Sequence, residues 1–114
     1  MGAAMWSFTL DEDDLVIPEG PVGTEENLRI ALETLIIPFG TQAESVEIYL
    51  REWRKMWQQF GPDYILGTSS AAARRVGPGV VEIEDLYGQF ETCKMSVREF
   101  ESALESMIAF LEEC

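Results

Sequence analysis

The sequence predicts an α+β fold, a single small domain in which about three amphipathic helices pack on a small, mainly antiparallel sheet. Apolar residues recur at helical spacing in three segments, near residues 24–37, 42–60 and 96–112. Elsewhere, short segments alternate apolar and polar residues, as half-buried strands do. A chain of 114 residues is long enough for one hydrophobic core and too short for two. We therefore expect residues 1–114 to form one globular domain.

The first predicted strand begins at Trp6, where Trp6, Phe8 and Leu10 alternate with polar residues. Four consecutive acidic residues interrupt this pattern: Asp11, Glu12, Asp13 and Asp14. Because like charges repel one another in a regular element, we expect a solvated turn before residues 15–17 return as a strand. A calcium-binding EF-hand loop needs alternating oxygen ligands and a closing glutamate, and this run provides neither. We predict no metal site here.

The first helix follows a loop that the prolines and glycines of residues 18–23 predict. Thr24 is placed to cap the helix, with Glu25 and Glu26 in the first turn, where the helix dipole favours negative charge. Its apolar residues follow at i, i+3, i+4, i+7 and i+8: Leu28, Ala31, Leu32, Leu35 and Ile36. Pro38 predicts the end of the helix.

The second helix has a capping-box pattern at its start, formed by Thr41 and Glu44. One side of the helix carries large apolar residues: Val46, Tyr49, Leu50, Trp53, Met56, Trp57 and Phe60. We interpret this stripe as core packing. If that interpretation fails, Trp53 and Trp57 are the candidates for a partly exposed binding site.

The opposite side of the second helix carries charge of both signs. Glu47 and Arg51 are four residues apart and can pair on the helix surface. Because Arg54 and Lys55 follow, we expect the basic residues of this helix to neutralise its acidic ones. Residues 61–79 show no clear period, and apart from one short strand their place in the fold stays open.

The last third of the chain predicts a strand, a turn, a second strand and a helix. In residues 80–84, aliphatic residues alternate with Glu82 and Glu84, which puts both carboxylates on one face of the strand. Residues 87–89 predict a turn, and residues 90–95 predict the return strand.

Ser96 and Glu99 form a capping box at the start of the third helix. The apolar side of this helix is long: Val97, Phe100, Leu104, Met107, Ile108 and Leu111. We expect Glu101, Glu105 and Glu112 to lie mainly on the solvent side.

The charge of the chain is its most unusual property: 21 acidic and 8 basic residues, no histidine, and a net charge of −13. Such a field repels phosphates and anionic membranes and attracts cationic proteins, so we expect no direct binding to nucleic acid or membrane. Without histidine, His-dependent triads and most zinc sites are excluded. Cys93 and Cys114 form neither a ligand pattern nor a redox pair. We expect no cofactor and no metal. An alternative explanation of the acidity is that it only keeps the protein soluble.

Glu82 and Glu84 are the candidates for acid–base chemistry, since strand rise places their backbones about 6.5 to 7 Å apart. Solvated strand faces carry such pairs routinely, and nothing in the sequence predicts a desolvated cleft that would raise one pKa. We therefore expect the chain not to be an enzyme.

A resemblance to a known family covers the C-terminal third, VVEIEDLYGQFETCKMSVREFESALESMIAFLEE. This stretch is similar to the ending of small acidic immunity proteins of bacterial polymorphic toxin and contact-dependent growth inhibition systems. The matching positions are Met95, Ser96, Glu99, Phe100, Leu104, Phe110 and Leu111. The resemblance implies a cytoplasmic protein that binds and neutralises a cognate toxin domain, commonly a nuclease. The alternative is an acidic regulatory or adaptor protein, a nucleic-acid mimic or accessory subunit, that binds a basic host protein.

The predicted partner-binding surface consists of carboxylates without a basic neighbour in sequence: Asp11, Glu12, Asp13, Asp14, Glu82, Glu84 and Asp85. Such a surface can take the place of phosphates in a basic nuclease site. The two groups could lie on one surface if the strand beginning at Trp6 and the strand containing Val81 belonged to the same sheet. We expect a cytoplasmic location, because the N-terminus lacks a secretion-signal pattern and no apolar run is long enough to cross a membrane.

Overall fold

The computed structural model describes residues 6–60 and 64–113, and in these ranges three α-helices and six strands form. The strands are Ser7–Leu10 (β1), Val16–Glu19 (β2), Ile65–Gly67 (β3), Ala71–Gly77 (β4), Val80–Asp85 (β5) and Cys93–Ser96 (β6). The helices are Glu26–Ile36 (α1), Ala43–Phe60 (α2) and Val97–Glu112 (α3), and a 3-10 turn, Ile37–Phe39, follows α1. Predictions that concern residues 61–63, the Phe60 side chain or Cys114 lie outside the described residues.

The strands form two antiparallel sheets, where the sequence predicted one. The predicted α+β fold is confirmed. β1 and β2 form a hairpin around the acidic turn, and β3 to β6 form a four-stranded sheet in chain order. Pro18, which the sequence assigns to a loop, lies in β2 opposite Phe8. A strand that pairs on one side only can accept a proline, since the missing N–H is not needed at its open edge.

The core lies between the helices and one face of the four-stranded sheet. The sheet contributes five buried side chains: Ala71, Ala73, Val81, Ile83 and Met95. From the helices, Phe100 is fully buried, and its ring centroid lies 4.9 Å from that of Trp53. Two of the inward positions of β4 are alanines, which explains why residues 61–79 show no clear apolar period.

The apolar stripe of α2 is core, as predicted, through Trp53, whereas Met56 and Trp57 are only half-buried. Trp57 is covered on one ring face by the guanidinium of Arg75, whose central carbon lies 3.7 Å from the ring centroid. This cation–π contact occupies the face that a ligand would need, so Trp57 is a poor candidate for an exposed binding site.

The capping residue of α3 is Ser96, as predicted, and its hydroxyl accepts a hydrogen bond from the backbone amide of Glu99 at 2.9 Å. The Glu99 carboxylate accepts a further hydrogen bond from the buried indole N–H of Trp6, also at 2.9 Å. The start of the chain's first hairpin is thereby fastened to α3.

The other two helices form close to the predicted ranges, but not with the predicted capping residues. Glu25 is the N-cap residue of α1, and the hydroxyl of Thr24 instead donates to the carbonyl of Pro21 at 2.7 Å. The second helix begins at Ala43, one residue later than predicted, so Gln42 separates Thr41 from the first helical residue. Within the described ranges, no helix has both the length and the apolar character needed for a membrane crossing.

Candidate partner-binding surface

The acidic turn between β1 and β2 is organised by Asp11. Its carboxylate accepts hydrogen bonds from the backbone amides of Asp13 and Leu15, at 2.8 and 2.9 Å. Asp14 has a left-handed backbone with a φ of 61°, a conformation that aspartate adopts more readily than most residues. Asp11 therefore shapes the turn, and the exposed side chains of Glu12, Asp13 and Asp14 carry charge that a partner can contact.

The two glutamates of β5 are neutralised across the sheet. Arg74 of β4 lies opposite Glu82, and Lys94 of β6 lies opposite the same residue on its other side. The guanidinium of Arg74 is 2.9 Å from the Glu82 carboxylate and 3.5 Å from that of Glu84. The hydrogen bond from Arg74 lowers the pKa of Glu82. The prediction that these carboxylates lack a neutralising neighbour was wrong, because strand pairing brings Arg74 from a segment whose placement the sequence left open.

Asp85 closes the turn that follows β5. Its carboxylate accepts hydrogen bonds from the backbone amides of Tyr87 and Phe90, each at 3.0 Å, and from that of Gln89. Partial burial by itself would raise the pKa of Asp85, but the hydrogen bonds from these amides have the larger combined effect, so the pKa lies below its ordinary value. Like Asp11, Asp85 holds a turn in shape.

A groove of about 450 Å³ lies between the start of α1 and strands β5 and β6. Its lining includes three carboxylates, those of Glu25, Glu82 and Glu91, and the single cation Lys94. Asn27 fastens the segment between β5 and β6 to α1, since its side-chain nitrogen donates to the Glu91 carbonyl at 2.8 Å and its side-chain oxygen accepts from the Glu91 amide at 2.9 Å. Glu25 and Glu91 were not predicted as site residues, because only this contact between distant parts of the chain brings them together.

The thiol of Cys93 also lines this groove. Burial, and to a lesser degree the charge of Glu25, raises the pKa of Cys93. The thiol is therefore protonated at neutral pH and is not an activated nucleophile.

The basic residues of α2 do not neutralise their own helix as expected. Arg54 reaches across to α3, where it lies 3.0 Å from Glu101 and 2.9 Å from Glu105. Glu101 thus lies at the contact between the two helices, not on the solvent side. Among the described residues, no ion pair joins Glu47 to Arg51.

The two predicted groups of site residues lie in different sheets. The acidic turn belongs to the hairpin of β1 and β2, whereas Glu82, Glu84 and Asp85 belong to the four-stranded sheet. The strand pairing that would have joined the groups on one surface is absent from the described part of the chain. Two acidic regions remain: the tip of the first hairpin and the groove beside the β5–β6 connection.

In the described ranges, no group of three or more cysteine, aspartate or glutamate residues is arranged to hold a metal ion.

No protein-family model, curated protein or solved structure matches the chain. The functional proposal therefore rests on the geometry and the charges of the described residues.

Proposed function

We propose that this chain is a cytoplasmic immunity protein that binds a cognate toxin domain, a basic nuclease, and covers its active site with an acidic surface. The observation that supports this proposal is where the charges lie. Arg29, Arg54 and Arg74 each bridge two carboxylates, so three of the 8 basic residues are committed to contacts within the fold. Among the described residues, no ion pair involves the acidic turn, Glu25 or Glu91, so these carboxylates keep their negative charge.

The physical basis of inhibition is competition for cations. A nuclease site binds phosphates with lysine and arginine, and carboxylates held on a folded surface can occupy the same cations. The field of a chain with a net charge of −13 also steers a basic partner. Such steering brings association rates to about 10⁸ to 10⁹ M⁻¹s⁻¹ at low salt. The same charge would suit an acidic adaptor that binds a basic host protein without inhibiting it, and inhibition separates the two functions.

The test is a binding titration against the protein encoded immediately upstream, at low and high salt. Asp13→Asn removes one charge from the acidic turn, and Glu91→Gln removes one charge from the groove. Glu105→Gln is the matched control, because it removes the same charge from a carboxylate that Arg54 already holds. We expect slower association for the first two variants and little change for the control. Binding that is insensitive to salt and to both substitutions would rule out these surfaces, and binding without loss of toxin activity would favour the adaptor.

A further inference from the structure

The connection between β5 and β6 exposes two large apolar side chains next to each other. Tyr87 is 74% exposed and Leu86 is 52% exposed. An aromatic ring stabilises a fold when it is buried in the core. The Tyr87 ring is exposed to solvent and is not part of the core. Exposed apolar residues at a binding surface are the usual source of its affinity, with tyrosine among the most frequent contributors.

This connection is held in one shape at both ends, although its tip is exposed. The Asp85 carboxylate accepts amide hydrogen bonds from Tyr87, Gln89 and Phe90. At the other end, Asn27 makes its two hydrogen bonds to the backbone of Glu91. A loop that is already ordered loses little conformational entropy when a partner binds.

Carboxylates lie on both sides of this apolar tip in the chain. Asp85 precedes it at the end of β5, and Glu91 follows it on the wall of the groove that also contains Glu25. An apolar centre with a charged rim is the usual arrangement of a protein–protein interface. The negative rim selects a partner whose own rim is positive, and it opposes both a second copy of this chain and an anionic membrane.

We infer that residues 86–91, here called the anchor loop, form the centre of the partner-binding surface, with Leu86 and Tyr87 entering an apolar pocket that lysine and arginine surround on the toxin domain. This inference rests on the proposed function and deepens it. The carboxylates determine how fast the partner arrives, and the two apolar side chains determine how long it stays.

The test measures the dissociation constant and both rate constants for the purified toxin domain encoded upstream. Variants are Tyr87→Ala, Leu86→Ala and the control Ile48→Ala, which truncates a side chain of α2 that is 48% exposed. We expect Tyr87→Ala to weaken binding by about 30-fold or more, mainly through faster dissociation. Ile48→Ala should stay within about threefold of the wild type. Thermal unfolding should be unchanged in all three variants, since none of these side chains is in the core.

The other outcomes distinguish a failure of this inference from a failure of the proposed function. If the wild type binds and inhibits the toxin but Tyr87→Ala and Leu86→Ala bind equally well, the anchor loop is not the interface and the proposed function stands. If the wild type does not bind, the proposed function fails and this inference fails with it. If the wild type sediments as a dimer that Tyr87→Ala dissociates, the loop contacts a second copy and the inference is overturned.

Discussion

Glu101 shows how an acidic residue in this chain can serve the fold and not a partner. Its carboxylate accepts hydrogen bonds from the indole of Trp53 at 3.1 Å and from the guanidinium of Arg54 at 3.0 Å. The Glu101 side chain is 19% exposed, whereas that of Glu105, which also binds Arg54, is 57% exposed. Because Trp53 is buried, loss of the Glu101 carboxylate would leave its indole N–H without an acceptor.

Glu101→Ala should therefore lower the free energy of unfolding by about 1 to 3 kcal/mol, the usual effect of an unsatisfied buried donor. Glu105→Ala removes only an exposed ion pair and should cost about 0 to 1 kcal/mol. Urea denaturation followed by tryptophan fluorescence measures both values. Equal losses for the two variants would show that the indole hydrogen bond contributes nothing beyond the ion pair.

The ion pair between Arg74 and Glu82 predicts a pH effect. The hydrogen bond from Arg74 holds the pKa of Glu82 in the folded chain below the ordinary value of 4.5. Its stabilisation is therefore present above that value and is lost as the pH falls through the lower, folded pKa. In Arg74→Ala, an NMR titration should show the Glu82 carboxylate titrating at higher pH than in the wild type. An unchanged midpoint would mean that Arg74 does not set this pKa.

The starts of the helices separate sequence pattern from realised geometry. Ser96 and Thr41 both begin a capping-box pattern, but only Ser96 is the N-cap residue of its helix, since α2 begins at Ala43. A capping box is two residue types at a fixed spacing, and it acts only if the helix starts at the intervening position. Periodicity predicted that each helix exists, whereas its first residue depends on the chain that precedes it.

Ser96→Ala should destabilise the chain by about 0.5 to 2 kcal/mol, since the Glu99 amide loses its acceptor. Thr41→Ala is the matched control, an exposed residue before α2, and should change stability by less than about 0.5 kcal/mol. Chemical denaturation of the two variants and the wild type supplies the comparison. A larger loss for Thr41→Ala would mean that the sequence pattern, and not the helix start, identifies the cap.

At the scale of the molecule, the sequence predicted the helices and the α+β class because apolar periodicity depends on local spacing alone. Strand β4 was missed because the two buried positions on its inward face are alanines. The candidate site was predicted only in part for the same kind of reason. Glu82 and Glu84 have no basic neighbour in sequence, but Arg74 of β4 neutralises them across the sheet. Glu91 is held against α1 by Asn27, a contact that no sequence spacing indicates.

The fold has a net charge of −13, two acidic regions and an ordered apolar loop, and we propose that a basic toxin domain binds there and is neutralised. The most direct measurement is the nuclease activity of the purified toxin domain encoded immediately upstream, titrated with this protein. We predict that activity falls in proportion to added protein and disappears near one equivalent, as tight active-site occlusion requires. Full nuclease activity in the presence of a large excess of the protein would contradict the account.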